Sequence, residues 1–498
     1  MEVCLFVIRI LYLLSLERNT SMMMATNQST FQLPFLKEPG IQLTFENGHT
    51  FVFVPRKGQV FNVSTWVKTG SMNEDSLNNG VSHFLEHLMF KGTTRCKPGE
   101  FDKAMENMGA IINAATWKDY TFYYVTGPNT DYGEFDTALD LHADMLLHST
   151  LPEEEIGEPY DPAKGEEPPV KRERGVVIEE IGMCEDRPWN KIYNAVNALM
   201  YPEGHPYRRD VIGTRTIVGT IPREQIEAYY RRWYSPENMT TIVVGDFDHA
   251  TLVEKVKKAF NFESRTDAAP ALARYTEPTP AEKFKGQFIT ALDAPRYETI
   301  VSDVTTQFFS MAFAGPTADD QAATVGLHIA STILGESLSS RFNQNLVEKQ
   351  SPAGFNMLGT GQYEFKLGNV FFIQGNFNST DVPAALEEVK AELTAFLSDK
   401  PITQEEFDRT IKKAKVDFAS GIETTSGIAD VLGESLTVNG TVEAFTGYLT
   451  VLNALTLEGV QAVAKKYLQP ELAFTAVLAS ATVLKGKPAT ATPALAVV

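Results

Sequence analysis

Two stretches of this 498-residue chain follow one plan. IPREQIEAYYRRWYSPENMTTIVVGDF (221–247) and LTLEGVQAVAKKYLQPELAFTAVLAS (455–480) each read as a helix ending in a tyrosine, a turn containing proline, and an apolar strand. A unit recurring at that distance implies two related domains, which also suits a chain too long for one ordinary core. The joint falls in SRTDAAPALARYTEPTPAEKFKG, where alanine, proline and charge replace any periodicity. The expected division is an N-terminal extension (1–39), a first domain (40–263), a linker (264–286), a second domain (287–484) and a disordered tail (485–498).

The first copy carries a chemical motif. In HFLEH (83–87), His83 and His87 sit at i and i+4, about 40° apart around a helix, so both imidazoles reach one ion at zinc-like distances of ~2.0–2.1 Å. Glu86 lies about 60° to the other side of His83, where it can take a proton from a water that the ion holds. This is the H-E-x-x-H arrangement of zinc proteases run in the opposite chain direction. NNGVS (78–82) supplies polar helix-start residues, Leu85, Leu88, Met89 and Phe90 supply an apolar surface, and Gly92 ends the helix.

A catalytic zinc takes a third protein ligand, commonly a carboxylate. In the helical stretch RERGVVIEEIGMCED, Glu180 lies two turns beyond Glu173 and about 20° off its face, while Glu179 points elsewhere. Glu180 is therefore expected as the third ligand, with Glu173 supporting a ligand from behind. The second copy has GLHIASTILGES (326–337) in the corresponding place, without the motif; its His328 reads as a core or surface residue, and His142 and His148 read as structural. Cys184 reads as a buried thiol.

Between these motifs, alternating and clustered β-formers around Asn47-Gly48 and Lys57-Gly58 predict an antiparallel meander from about Gly40. A helix follows over 99–108, then two strands joined at Lys118-Asp119, then a helix from Phe135 to Leu147. LPEEEIGEPYDPAKGEEPPVK (151–171) has prolines and acids in place of periodicity and is expected to be a loop insertion. The net charge of −19 argues against nonspecific binding to nucleic acid or anionic membrane and favours basic partners. Cys4, Cys96 and Cys184 have neither the number nor the spacing of a disulfide framework. The apolar run 3–16 is broken by Arg9 and too short to span a bilayer, and it lacks the basic start of a signal peptide. A cytoplasmic protein without stable membrane insertion is expected, export to the periplasm being the alternative if that run is a signal.

Over residues 40 to 480 the chain resembles the inverzincin peptidases, the family that includes pitrilysin, insulysin and the mitochondrial processing peptidases, in its half-length two-domain bacterial form. The matches are HFLEH (83–87), ERGVVIEE (173–180), NAATWKDYTFYY (113–124) and GHPYRRDVIGT (204–214). The resemblance implies an α+β fold of two homologous domains, each a mostly antiparallel sheet covered by helices, together forming half of a clam-like peptidase chamber. It implies a zinc-dependent endopeptidase of unfolded or presequence-like peptides. His83, His87 and Glu180 would bind zinc, Glu86 would act as general base and Glu173 would be the supporting carboxylate. Asn113 and Ala114 would lie on the edge strand along which substrate adds, and Arg341 would hold substrate carbonyls. The rival reading is a non-catalytic scaffold or binding subunit of a processing-peptidase-like complex. Two departures stand out: the gap from His87 to Glu180 is longer by about the acidic insert, and the position of a substrate-holding tyrosine falls near Gly354, with Phe355 beside it. A homologous partner chain supplying that tyrosine is therefore expected, or a homodimer.

Overall fold

The computed structural model describes residues 24–130, 133–166, 172–261 and 296–484. The N-terminal apolar run, Cys4, the expected linker and the expected tail lie outside these. Among the described residues, no helix is long and apolar enough to cross a membrane.

Strands β1 (Ala25–Phe31), β2 (Gly40–Phe45), β3 (Thr50–Pro55), β4 (Val60–Val67), β5 (Ile111–Thr116), β6 (Thr121–Pro128) and β7 (Met239–Gly245) form one sheet, ordered β1-β2-β3-β7-β4-β6-β5. Strands β8 (Arg296–Val301), β9 (Gln307–Ala314), β10 (Phe355–Tyr363), β11 (Val370–Phe377) and β12 (Phe474–Ala479) form a second, ordered β10-β11-β9-β12-β8. The repeated sequence unit supplies β7 and β12, and these two play one part. Each lies parallel to one neighbour (β3 or β8) and antiparallel to the other (β4 or β9). The order β3-β7-β4-β6-β5 is thus matched by β8-β12-β9-β11-β10, and the expected pair of α+β units with mostly antiparallel sheets is present. The first sheet begins with β1, ahead of the expected boundary at residue 40. Its residues are largely exposed and lack strand alternation, so it is held mainly by its backbone ladder to β2.

The longer helices of the first half are α1 (Val81–Met89), α2 (Glu100–Asn107), α3 (Glu134–His148), α4 (Glu173–Asp186), α5 (Pro188–Met200), α6 (Arg223–Trp233) and α7 (His249–Ala259). Those of the second are α8 (Gln321–Leu334), α9 (Val382–Leu397), α10 (Gln404–Gly421), α11 (Thr425–Glu434) and α12 (Leu457–Tyr467). Why FVFV in β3 is apolar without alternation follows from its surroundings. Phe51 and Phe53 face a core built with α1, α3, α6 and α7, whereas Val52 and Val54 face the opposite side, and both sides are covered.

That opposite cover comes from the other domain. Ile428, Ala429 and Leu432 of α11 pack on Val52, Trp66, Ile242 and Val244 of the first sheet. Conversely, Ile192, Val196 and Met200 of α5 pack on Ala312, Ala476 and Leu478 of the second. Each domain therefore lends a helix to its neighbour's sheet. The seam is pinned by the turn at Asp119, whose carboxylate accepts from the Lys366 backbone N–H at 2.9 Å and from the Tyr207 hydroxyl.

Residues 151–166 of the acidic segment are not the unpacked insertion expected from its composition. Glu153–Ile156 forms a helical turn, Leu151 and Ile156 are buried in the first domain's core, and Tyr160 packs against it. The Tyr160 N–H donates to the Gly219 carbonyl at 2.8 Å. Three apolar residues among the acids were enough to anchor it.

Candidate metal centre

α1 is amphipathic by its sequence. Phe84, Leu85, Leu88 and Met89 are fully buried, leaving His83, Glu86 and His87 on the partly open face. Its start is fixed by a residue that the motif does not contain. Glu74, wholly buried, accepts from the N–H groups of Gly80 and Ser82 and from the Asn79 amide, each at 2.8 Å. A carboxylate there satisfies donors that the first helical turn leaves free and favours the positive end of the helix dipole. Burial nevertheless pushes its pKa up, against those hydrogen bonds. Gly80 adopts φ 96°, and an added Cβ would sit 2.7 Å from the Ile212 carbonyl oxygen. This contact explains why the 204–214 block matters: it is the surface against which the motif helix begins. No helical spacing linked Glu74 to the motif, so sequence reasoning missed it.

α4 brings the third donor. Glu180 Oε2 lies 3.7 Å from His83 Nε2 and 3.5 Å from His87 Nε2, and the two imidazole centroids are 4.8 Å apart. A tetrahedral ion with bonds of ~2.0–2.2 Å has ligand–ligand edges of ~3.3–3.6 Å, so both Glu180–imidazole distances suit zinc, and the three donors together lie within 4.8 Å of one another. Glu173 Oε2 lies 3.4 Å from His87 Nδ1, and its other oxygen accepts from Lys91 Nζ at 2.8 Å. Lys91 is a second residue the sequence did not single out; it holds Glu173 against the ring. Arg174, almost fully buried, donates to the carbonyls of Gly157 at 3.1 Å and Val218 at 2.6 Å and lies over the Phe84 ring. The insert thus braces the helix that carries both glutamates.

The two histidines differ in proton affinity. Burial, and then His87 beside it, lowers His83 to about 4. Burial also acts to lower His87, but the hydrogen bonds with Glu173 and Glu180 and the charge of Glu86 outweigh it and raise His87 to about 9. Hydrogen bonding to His87 lowers Glu180. Glu86 is shifted upward by burial, which exceeds the opposing effect of Thr116 Oγ1 donating to its Oε2 at 2.6 Å.

Thr116 ends β5, which among the described residues pairs on one side only, so Glu86 adjoins an edge of the first sheet. Asn113 and Ala114 lie on that strand, where the Asn113 side chain accepts from the Ala114 N–H at 2.9 Å. Arg341 is elsewhere. It donates to both Glu406 oxygens, at 2.8 and 2.7 Å, and to the carbonyls of Lys400 and Pro401. Its guanidinium is thus engaged at the start of α10 and lies outside the His83–His87–Glu180 cluster of this chain. Phe355 is buried against Phe309 and Phe377 in the second core. Tyr363, by contrast, packs against Trp117, the residue after Thr116. His142 is buried and bonded to Thr65 at 2.9 Å, and His148 to Asp144 at 3.1 Å, structural as expected. Cys184 is half-buried.

The duplicated α+β unit, with a His-His-Glu cluster beside the β5 edge, has the two-domain architecture of M16-like peptidases. The chain belongs to peptidase family M16. Residues 53–214 match the family model described as insulinase (peptidase family M16), and residues 220–414 match that of the peptidase M16 inactive domain. The zinc protease PqqE of Helicobacter pylori is 29% identical over 85% of this chain and 89% of its own length. A probable mitochondrial-processing peptidase subunit beta of Arabidopsis thaliana is 25% identical over 82% and 72% respectively. The crystal structure of a protease from Helicobacter pylori superposes with a TM-score of 0.77 at 26% identity, covering 89% of this chain and all of that one.

Proposed function

We propose that this chain is a zinc-dependent endopeptidase of unfolded or presequence-like peptides. The observation that carries the reading is convergence: three donors spaced for one ion lie on two helices, with Glu86 on the same helix face beside an unpaired strand edge. Zinc, held by His83, His87 and Glu180, would supply the Lewis acidity that polarises the scissile carbonyl and makes water a nucleophile at neutral pH. Glu86 then takes the proton and returns it to the leaving amine. Its raised pKa suits both transfers, and Thr116 holds one oxygen so that the other faces the reaction. Glu173 and Lys91 keep the His87 ring oriented.

Substrate joins the outer edge of β5 as an added strand, with the Ala114 N–H released from Asn113 as a donor. Such binding needs an extended, unfolded peptide, and the net charge favours a basic one. A second, homologous chain closes the chamber and supplies the carbonyl-holding Arg and Tyr, because Arg341 is engaged with Glu406 and Phe355 is in the core. The working compartment is the cytoplasm. In this reading residues 40–263 form the catalytic unit and 287–484 its inactive homologue, with β1 an addition to the first.

The test is zinc content together with hydrolysis of an unfolded fluorogenic peptide. Glu86→Gln should keep stoichiometric zinc and lose about 10²- to 10⁴-fold in kcat. A purified chain that binds no zinc, or a Glu86→Gln protein as active as its parent, would overturn the proposal.

A further inference from the structure

Where the apolar seam between the first sheet and α11 ends, a crevice of about 240 Å³ opens, formed by residues outside the metal centre. Its floor is set by strand register. Thr50 stands opposite Thr240, which stands opposite Trp66, and Gln42 stands opposite Val52. Gln42, Thr50 and Thr240 therefore continue the face that Val52, Ile242 and Trp66 present to α11, as does Lys68, two residues beyond Trp66. The second domain closes the crevice with Lys366 and Asn439.

Among the described residues, neither the Lys68 nor the Lys366 ammonium has a hydrogen bond or ion pair. Lys68 is half-buried, its pKa is lowered by that burial, and the one charge resolved as acting on it is Lys366, which lowers it further. Asp119 lies within electrostatic reach of Lys366, but its oxygens accept from the Lys366 backbone and the Tyr207 hydroxyl. Two ammonium groups facing one crevice repel each other, and partial burial strengthens the repulsion. Together with two threonine hydroxyls and a glutamine amide they form a set of donors with no anionic acceptor among them.

We infer that this crevice binds a small tetrahedral oxyanion, inorganic phosphate or the phosphate of a monoester, between Lys68 and Lys366. A tetrahedral anion presents acceptors in several directions at once, so it meets donors on both walls, and it neutralises both lysines in one step. Because Lys68 belongs to the first domain and Lys366 to the second, the bound anion ties the two together across their seam. Its occupancy then stabilises the interdomain arrangement by mass action, the gain growing with the logarithm of anion concentration above the dissociation constant.

Thermal unfolding of the full-length protein in chloride buffer, with inorganic phosphate or glycerol 3-phosphate added at matched ionic strength, tests this. The expected result is a rise in Tm that reaches about 2–5 °C with the anion in large excess over its dissociation constant, absent in Lys68→Met and in Lys366→Gln. Titration calorimetry of the unaltered protein with phosphate should show one site. Lys366 is exposed, so its variant folds whether or not Lys68→Met does. A rise with phosphate alone, or with the monoester as well, supports the site and identifies its source. No rise with either anion, or equal rises in parent and variants, would overturn it.

Discussion

The candidate metal-binding set divides into residues whose spacing is local and residues whose relation is spatial. His83, Glu86 and His87 are one helical turn, and a helix has fixed angles, so their shared face could be read directly. Glu180 was legible as a face-sharing partner of Glu173, and the structure brings it within 3.7 Å of both imidazoles. Under limiting metal, Glu180→Gln should lose most zinc occupancy and Glu179→Gln almost none, with Glu173→Gln between them, about 10- to 100-fold weaker than the parent. Equal occupancy in the first two would unseat Glu180. Glu74 and Lys91 were not legible, because each acts through a contact between segments of no fixed register. Arg341 was legible only through the resemblance, and in this chain it pairs with Glu406, whose pKa burial would raise but the hydrogen bonds from Arg341 bring down to about 2.

Among the elements, the helix–turn–strand repeat foretold two sheets with matching strand order, since β7 and β12 occupy equivalent places. What it could not foretell is that α11 and α5 cross over. That exchange rests on close approach at Gly433, where an added Cβ would fall within the Trp66 indole. The indole is buried and stacked on Phe122 at 4.3 Å, so it cannot retreat. Gly433→Ala should destabilise the chain by about 1–3 kcal/mol or more, read as a lower denaturant midpoint; an unchanged midpoint would mean that the seam is plastic. The acidic insert was misread because composition outvoted three apolar side chains. Ile156→Ala should cost about 2–5 kcal/mol if the segment is anchored as described, and well under 1 kcal/mol if it is a free loop.

At the scale of the molecule, the seam gathers acids from both domains. Glu434 touches solvent but is walled in by its surroundings, and its pKa is raised to about 7 by burial first, then by Glu364, Asp430 and Asp119. An unfolded glutamate titrates near ~4.3. Between those values the folded chain binds the extra proton, so stability is greatest at the acid end of the window and declines as pH rises through about 7. Tm should therefore fall between about pH 5 and pH 8, and Glu434→Gln should flatten that slope and melt higher at the alkaline end. Parallel slopes in the two proteins would discharge Glu434 from this role. The helix exchange also sets a schedule for synthesis. The first sheet is complete when β7 emerges, but the helix that covers its second face begins about 180 residues later. At about 5–20 residues per second, Val52, Trp66 and Val244 wait roughly 10–40 s on the ribosome as a bare apolar surface, so the first domain is a client for chaperones until its neighbour has been translated.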